Sequence, residues 1–381
     1  MIILDKPYVS DFLIETIKKN NFAVLDNEIA RKYLDNKYLV SSIDAIERYN
    51  KGELFYTNSE NSIDWIVKNI PNTSLEKYIE ICKNKVLFRK AISKMYPWYK
   101  FSEVKLDELK DLNSDNLSYP FILKPSVGFL SFGVYPVRDK FDWENTISKI
   151  FLDIEKLKDI FPNCVVDMTS FILEEMIEGE EFAIDAYFNN QGEAVILNIL
   201  KHPFFDDKDV SDRAYYTNKE IFEKYYDKFL NILNQIADCT GFKNFPFHIE
   251  LRANDDNIIP IEINPMRFAG WCITDIAQSV WNVNTYEYYL KQLKPDWENI
   301  LKNSDNSYYY FTIGDINKKA DDIDYEKYLK NISNPLVVRK IDFKSNPIFA
   351  IVFAKTDDIN EIKNILKLDM NLFIRENCNT F

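Results

Sequence analysis

Two apolar strands separated by a short polar turn most tightly constrain how this chain can fold. Residues 247–252 and 258–264 alternate apolar and polar side chains, and only residues 253–257 separate them. Alternation with a period of two is typical of a β-hairpin that has one apolar and one polar face. We expect Arg252 to lie opposite Ile258, which puts the odd-numbered residues of both strands on the apolar face. The sequence therefore predicts a hairpin whose other face is free for polar chemistry.

The polar face of this hairpin collects side chains that a hard cation prefers. Its members are His248, Glu250, Arg252, Glu262 and Asn264. The expected register puts Glu250 and Glu262 in diagonal positions, with Cβ atoms ~7–8 Å apart. Carboxylate and amide oxygens are the protein ligands of Mg²⁺, so Glu250, Glu262 and Asn264 are the candidate metal ligands. A solvent-facing ladder of salt bridges is the alternative, but it leaves the following Asn-Pro-Met-Arg segment unexplained. There, Arg267 would point a planar donor fork at an anionic substrate group.

A strand that runs into a glycine-rich loop supplies candidate phosphate contacts. Residues 121–123 lead to Lys124, and the polar or glycine positions that follow are Ser126, Gly128, Ser131 and Gly133. The two glycines have Walker A spacing, but Val134 and Tyr135 stand where Lys and Ser or Thr are required. The loop amides and hydroxyls could still cover phosphates beside the point charge of Lys124. On this segment alone, a plain surface hairpin is an equally good interpretation.

Five glutamates within eight residues end the apolar strand that precedes residue 174. The functional interpretation is an adenosine clamp: backbone groups meet the adenine edge, Met176 and Ile177 pack on it, and Glu181 bonds the ribose. A solvated acidic turn is the alternative, and for this segment alone it is favoured.

Composition excludes several classes of function. The chain has 381 residues, of which 46% are apolar and 28% charged, so we expect two or three folded domains. A net charge of −13 argues against nucleic-acid binding. The five cysteines have no zinc-site or redox spacing, so we interpret them as reduced thiols. With only two histidines, any metal ion would have to be bound by carboxylates. There is no apolar run of membrane length and no signal-peptide pattern, so we expect no membrane partner and a cytoplasmic location.

The three segments, in this order, resemble the ATP-grasp superfamily of carboxylate-amine ligases, which includes D-alanine:D-alanine ligase, biotin carboxylase and bacterial L-amino-acid ligases. The resemblance covers about residues 85–270, and residues 84–89 look like the segment with the first phosphate lysine. It implies that ATP is bound with two Mg²⁺ ions, for which Mn²⁺ can substitute, held by Glu250, Glu262 and Asn264. The implied nucleotide contacts are Lys85, Lys124, Ser126, Gly128, Ser131, Gly133, Glu174, Glu175, Ile177, Glu181 and Lys201.

The resemblance also implies candidates for catalysis. Arg267 lies three residues beyond Asn264, where many relatives have an arginine at two. Arg213, in a stretch expected to be mobile, is the first candidate for a basic residue near the γ-phosphate, and Lys201 is the second. His248 stands where some relatives have an arginine that stabilises the tetrahedral intermediate, and Arg252 is the candidate to take over that task.

The fold implied by this resemblance is a multidomain α/β and α+β chain built on an ATP-grasp fold. The expected units are a pre-ATP-grasp α/β domain (1–83), a subdomain with the glycine-rich loop (84–172), a subdomain with the metal site (173–305) and a small C-terminal α+β unit (306–381). The implied activity joins a small-molecule carboxylate to an amine through an acyl phosphate, releasing ADP and phosphate.

Substrate identity and assembly are less constrained. Amino acids are among the expected substrates, and a homodimer is the expectation for assembly. An ATP-grasp kinase and a non-catalytic ATP-binding module remain alternatives. Glycoside hydrolysis by paired acids ranks last because it leaves Lys124 and the glycine loop without a role.

Overall fold

Three β-sheets organise the part of the chain that the computed structural model describes, namely residues 1–127, 133–157, 167–206, 209 and 211–375. Two of these sheets have four strands and one has eight. Within these ranges no helix is both long enough and apolar enough to cross a membrane. The mixed α/β architecture agrees with the fold class expected from the sequence.

The N-terminal unit is a parallel sheet with helices around it, which is an α/β arrangement. Its strands, in the order β3-β2-β1-β4, are β1 (Ile2–Ile3), β2 (Val24–Leu25), β3 (Leu39–Val40) and β4 (Tyr56–Thr57). Its helices are α1 (Asp11–Asn20), α2 (Ala30–Tyr33), α3 (Ser42–Asn50), α4 (Ile63–Asn69) and α5 (Ser74–Lys83). Helix α1 begins where the Ser10 side chain accepts a hydrogen bond from the Leu13 amide, and it buries Leu13 and Ile17.

The central unit is an antiparallel sheet in the order β5-β8-β6-β7 with a hydrophobic core of its own. Its elements are α6 (Lys85–Ala91), β5 (Phe101–Lys105), β6 (Phe121–Val127), β7 (Tyr135–Val137), α7 (Lys140–Leu157) and β8 (Asp167–Glu175). Phe121, Trp143 and Phe171 are among the side chains of this core. The loop between β6 and β7 includes residues 128–132, so the predicted contacts Gly128 and Ser131 lie outside the described residues.

The large sheet has the strand order β13-β12-β9-β10-β11-β14-β16-β15. Its strands are β9 (Glu180–Phe188), β10 (Ala194–His202), β11 (Ala214–Thr217), β12 (Phe245–Ala253), β13 (Ile258–Pro265), β14 (Tyr308–Asp315), β15 (Pro335–Lys340) and β16 (Ile348–Thr356). The accompanying helices are α8 (Lys219–Thr240), α9 (Ile276–Trp281), α10 (Thr285–Leu290), α11 (Trp297–Lys302), α12 (Tyr325–Leu329) and α13 (Ile359–Leu366). Helix α8 covers one face of the sheet, where Phe182 of β9 meets the rings of Tyr225 and Phe229. One continuous core joins this face to the N-terminal unit.

The predicted hairpin of residues 245–264 is present as β12 and β13, but its expected register was wrong. Glu250 lies directly opposite Glu262 rather than diagonal to it, and a β-bulge follows, so that Arg252 faces Ile259 instead of Ile258. A bulge adds one residue to a single strand and exchanges the faces beyond it. Consequently Ile259, expected on the apolar face, shares the face of Arg252, and Pro260 lies opposite Leu251.

The C-terminal strands continue the large sheet without a break. Strand β14 pairs with β11, so the sheet crosses the polar stretch 302–307 and the predicted boundary at 305/306. Arg339 of β15 reaches back and donates to the carbonyls of Trp271 and Cys272, at 3.3 and 3.0 Å, and to the Asp275 carboxylate at 2.5 Å. Trp271 and Cys272 both have left-handed backbones, with φ of 56° and 53°. The C-terminal unit therefore anchors a segment whose conformation is costly by itself.

The described cysteines carry no disulfide. Cys82 and Cys272 are buried free thiols, and Cys239 is a half-buried free thiol. Cys164 and Cys378 lie outside the described residues.

The Arg339–Asp275 pair leads to a prediction about stability. Both side chains are almost fully buried, so Arg339→Met leaves a buried carboxylate that keeps the hydrogen bonds of Tyr286 and Ser10 but has lost its cation. We expect the variant to lose about 3–5 kcal/mol of unfolding free energy in urea denaturation. The double variant Arg339→Met/Asp275→Asn should regain part of that loss, because it has no unpaired carboxylate. The matched control is Arg375→Met, whose ion pair with Asp322 is half-exposed and should contribute less than about 1 kcal/mol. Equal losses in the two single variants would contradict the anchoring role.

Candidate active site

The polar face of the large sheet carries three rows of functional side chains across its strands. Residues that pair across strands share a face, and rows two residues apart are separated by ~7 Å. The first row is His202, Glu181 and Arg252; the second is Ala183, Glu250 and Glu262; the third is Asp185, His248 and Asn264. The predicted grouping of the even-numbered polar residues of the hairpin on one face is therefore correct.

The middle row holds two carboxylates side by side. Burial, followed by the charge of Glu262, raises the pKa of Glu250 well above its usual range. Burial would also raise the pKa of Glu262, but Lys85 and Lys124 outweigh it and lower that pKa. The Lys85 ammonium lies 3.1 Å from Glu262, whereas Glu250 has no cation in contact among the described ion pairs except the His248 ring at 4.0 Å. A carboxylate pair left short of positive charge fits a divalent cation.

Asn264 completes the candidate metal ligands. Its amide nitrogen lies 3.5 Å from a Glu262 oxygen, so the Asn264 side chain of the third row adjoins the carboxylates of the second row. No group of three or more His, Cys, Asp or Glu side chains in the described ranges is arranged to hold a metal. Two carboxylates and one amide suit Mg²⁺, which usually keeps waters and takes phosphate oxygens for its remaining positions. Glu250, Glu262 and Asn264 are therefore the residues that would hold it.

Lys124, a candidate phosphate ligand, is tied to Glu174 across the central sheet. Its ammonium lies 2.6 Å from one Glu174 oxygen, and the Arg89 Nε lies 2.6 Å from the other. Burial would raise the pKa of Glu174, but Arg89 and Lys124 together lower it to about 2. Burial lowers the pKa of Lys124. Strands β6 and β8 thus hold a carboxylate between two cations where the central unit meets the large sheet.

The expected adenosine contacts lie next to the first row. Glu181 is held at both oxygens, by the His202 ring at 2.9 Å and by the Arg252 Nε at 3.0 Å. Arg252 also donates to the Ile177 carbonyl at 3.0 Å, and the Glu175 carbonyl accepts from the Tyr99 hydroxyl at 2.8 Å. Arg252 lies four residues from His248 along β12, which is a distance of about 13 Å in an extended strand. Its contacts place it at the expected adenosine end, which disagrees with its predicted task at the tetrahedral intermediate.

His248 is fixed by a buried acid that the sequence analysis did not single out. Its Nδ1 lies 2.7 Å from Asp185 Oδ1, which also accepts a hydrogen bond from the Ala269 amide at 2.8 Å. The second Asp185 oxygen is buried without a hydrogen-bond partner in the described part of the protein. The ring is thereby oriented with Nε2 toward Glu250.

Arg267 contacts the N-terminal unit. Its guanidinium donates twice to one oxygen of Glu60, at 3.1 and 2.5 Å, and the other Glu60 oxygen accepts from Lys83. Burial would raise the pKa of Glu60, but Arg267 and Lys83 lower it to about 2. Arg267 in turn lowers the pKa of Glu250, so it lies close to the middle row. The predicted position of Arg267 beside the metal ligands fits this geometry.

Three predicted residues do not join the site. Arg213 donates to the carbonyls of Leu366 and Leu368, at 3.2 and 2.7 Å, and so anchors the C-terminal unit. Lys201 pairs with Glu180 on the opposite face of the sheet, since neighbouring strand residues point to opposite sides. The hydroxyl of buried Ser126 shares a hydrogen bond with that of Ser170, 3.0 Å away. Gly133, by contrast, has a φ of +76° beside Pro125, a backbone that suits the glycine predicted there.

The sequence analysis missed three residues around the site, and only two of them carried a signal that could have revealed them. Asp185 is an acid within the apolar run of β9, which could have marked it as a paired buried charge. Arg89 stood in the quoted segment 84–89, four residues after Lys85, and on a helix such residues share a face. Glu60 carries no local signal, because its partner Arg267 is 207 positions away.

The middle row leads to a prediction about stability and cation binding. Glu250→Gln removes the repulsion with Glu262, so in chelator we expect the variant to unfold at a higher temperature than wild type at neutral pH. Because the folded pKa of Glu250 is raised, wild type should lose stability as pH climbs from the ordinary glutamate pKa to the raised pKa, and the variant should not.

Mn²⁺ should raise the melting temperature of wild type but not that of the Glu250→Gln variant. Glu103→Gln, on exposed β5, is the control; an unchanged Mn²⁺ response in Glu250→Gln would contradict the assignment.

The comparisons with known proteins agree with this geometry. Residues 117–275 match the model of the ATP-grasp domain, whereas no curated protein sequence matches the chain. The fold is similar to that of the L-amino acid ligase from Bacillus licheniformis, with 17% identity, a TM-score of 0.68, and coverage of 99% of this chain and 98% of that one.

Two further solved structures extend the likeness. N5-carboxyaminoimidazole ribonucleotide synthetase from Thermotoga maritima has 14% identity, a TM-score of 0.64 and coverage of 96% and 95%. The biotin carboxylase domain of the Hydrogenobacter thermophilus 2-oxoglutarate carboxylase, solved with MgADP, ADP and bicarbonate, has 13% identity, a TM-score of 0.61 and coverage of 93% and 86%. Residues 117–275 thus match an ATP-grasp domain, and the end-to-end likeness to these structures shows that the chain has the ATP-grasp fold.

Proposed function

We propose that this protein is an ATP-dependent carboxylate-amine ligase that forms an amide bond and releases ADP and phosphate. One observation carries the proposal: the facing carboxylates Glu250 and Glu262 lie beside two lysines. Lys85 pairs with Glu262, and the charge of Lys124 also lowers the pKa of Glu262, between the central sheet and the large sheet. A site that binds only adenosine has no use for paired carboxylates beside two phosphate-binding cations. The fold shared with an L-amino acid ligase supports amino acids as the substrate class.

Binding of ATP would exchange internal ion pairs for contacts with the nucleotide. Lys85 and Lys124 would turn from Glu262 and Glu174 to the phosphates, and the backbone near Glu175 and Ile177 would meet the adenine. A divalent cation on Glu250, Glu262 and Asn264 supplies charge neutralisation for the β- and γ-phosphates.

The chemistry would proceed in two steps. In the first, a substrate carboxylate oxygen attacks the γ-phosphorus in line, the bond to ADP breaks, and an acyl phosphate forms. In the second, a neutral amine attacks the acyl carbon, phosphate leaves, and the amine nitrogen gives up a proton. The chain's own contribution is to position the reactants and compensate charge, and no covalent enzyme intermediate is required.

Arg267 and His248 are the residues best placed to meet the carboxylate and the acyl intermediate. Arg267 lies near Glu250 and is held by Glu60, while the fixed His248 ring points its Nε2 along the same face. Arg267 supplies charge-assisted donors at the candidate metal ligands, and His248 supplies a ring nitrogen beside them. Trp271, half-buried and stacked on Tyr8, would form a wall of the same pocket.

The test of the proposed reaction is ADP release with Mg·ATP against amino acids, supplied singly and in pairs, with mass detection of products. We expect a pair-dependent release of ADP and a product lighter by one water than the two substrates together. Hydroxylamine should trap the acyl phosphate as a hydroxamate when only the carboxylate substrate is present. ADP release with a stable phosphorylated hydroxyl compound and no hydroxamate would show a kinase instead.

Lys124→Ala should reduce ADP formation by at least about 100-fold, because it removes a desolvated cation from the transferring phosphates. Thermal unfolding should remain cooperative in this variant. Lys140→Ala, which removes an exposed lysine from the same subdomain, is the control and should leave turnover unchanged. Wild-type turnover in Lys124→Ala would remove the basis for the phosphate site.

A further inference from the structure

Glu174 is a buried carboxylate shared by two cations that differ in how firmly they are held. Its side chain and those of Arg89 and Lys124 are each between 3% and 6% exposed. Lys124 is the cation that the proposed function moves to the phosphates of ATP. If Lys124 leaves, Glu174 keeps Arg89 as its only cationic partner among the described residues.

Arg89 is fixed independently of Lys124. Its Nη1 donates to the Pro260 carbonyl of β13 at 2.5 Å. Its guanidinium also packs on the Tyr99 ring, 4.8 Å from the ring centre. The neighbouring side chain Phe88 is buried in the core that joins the N-terminal unit to the large sheet. Arg89 therefore belongs to the large-sheet side of the cleft while contacting a carboxylate of the central sheet.

One donor of Arg89 is unused. In the described part of the chain its Nη2 is buried and has no hydrogen-bond partner. The Nε and Nη2 of arginine form a planar fork that matches the two oxygens of one carboxylate. The same chain uses this fork elsewhere: Arg31 holds Asp26 with Nε at 2.6 Å and Nη2 at 2.8 Å. Arg89 so far uses only the Nε half on Glu174.

We propose that Arg89 is a positioning residue that takes both oxygens of Glu174 when ATP enters, which frees Lys124 to bind the phosphates. In the ligand-free protein Lys124 occupies one Glu174 oxygen. When a phosphate attracts Lys124, the unused Nη2 of Arg89 closes onto the vacated oxygen. Glu174 then keeps a full complement of hydrogen bonds, and no buried charge is left without a partner. This inference rests on the proposed binding of ATP.

The test is a double-mutant cycle on binding of Mg²⁺ with a non-hydrolysable imido analogue of ATP, measured by calorimetry. Arg89→Met keeps an unbranched apolar side chain but removes the guanidinium with its fork. We expect it to weaken the analogue about 100-fold, because Lys124 would have to abandon a buried carboxylate. In the Glu174→Gln background there is no charge to compensate, so the same Arg89→Met change should weaken binding less than about fivefold.

Adenosine separates this role from general damage to the fold. It has no phosphate to draw Lys124 from Glu174, so Arg89→Met should bind adenosine as wild type does while losing the analogue. If Arg89→Met does not fold, Arg89→Lys replaces it in both backgrounds, since lysine keeps the charge but has no fork. Equal weakening in the two backgrounds, or equal loss of adenosine and analogue, would overturn the inference. Wild-type protein that binds no ATP analogue would instead overturn the proposed function.

Discussion

The site depends on buried charge between two parts of the protein that have separate hydrophobic cores. The central sheet is packed around Phe121 and Phe171, whereas the large sheet shares its core with the N-terminal unit. Arg89 links the two, because it forms an ion pair with Glu174 of the central sheet and donates to the Pro260 carbonyl of the large sheet. Such pairs are expensive to break into isolated charges but inexpensive to exchange for other charged partners. A cleft held in this way can admit a polyanion, because the anion can replace the carboxylates as the partner of the cations.

The alternation of side chains along a strand explains why much of the site could be predicted from the sequence. A period of two fixed which residues of β12 and β13 share the polar face, and hence the grouping of Glu250, Glu262 and Asn264. The register was mispredicted because a β-bulge depends on packing around Pro260 and leaves no pattern that alternation can reveal. In the observed register Glu250 and Glu262 lie closer together than expected, so their mutual repulsion is stronger.

Long charged side chains account for the predictions that failed. Lys201 was placed near the γ-phosphate without regard to its face of the strand, and Arg213 reaches carbonyls about 150 positions away. A local motif predicts which backbone positions lie near a ligand. It does not predict the partner of an arginine, because this long side chain can reach any acceptor within several ångströms of its Cα. Arg252 lies on the predicted face, yet a β9 carboxylate that strand pairing places beside it determines its contacts. The expected fold class is nevertheless confirmed, because it rested on the resemblance of three segments in order and not on the partners of any one charged side chain.

The segment after β13 connects the C-terminal unit to the candidate active site. The chain leaves Asn264, turns with a left-handed Met266, presents Arg267, and then passes through the left-handed pair Trp271 and Cys272. Side chains other than glycine resist this conformation, so outside contacts must hold it. The N-terminal unit supplies Glu60 and the amide of Thr57, which bonds the Met266 carbonyl at 2.8 Å, and the C-terminal unit supplies Arg339. The conformation of this segment therefore depends on contacts from both ends of the chain. The continuous large sheet supports these contacts, because it holds the C-terminal strands in a fixed position relative to β12 and β13.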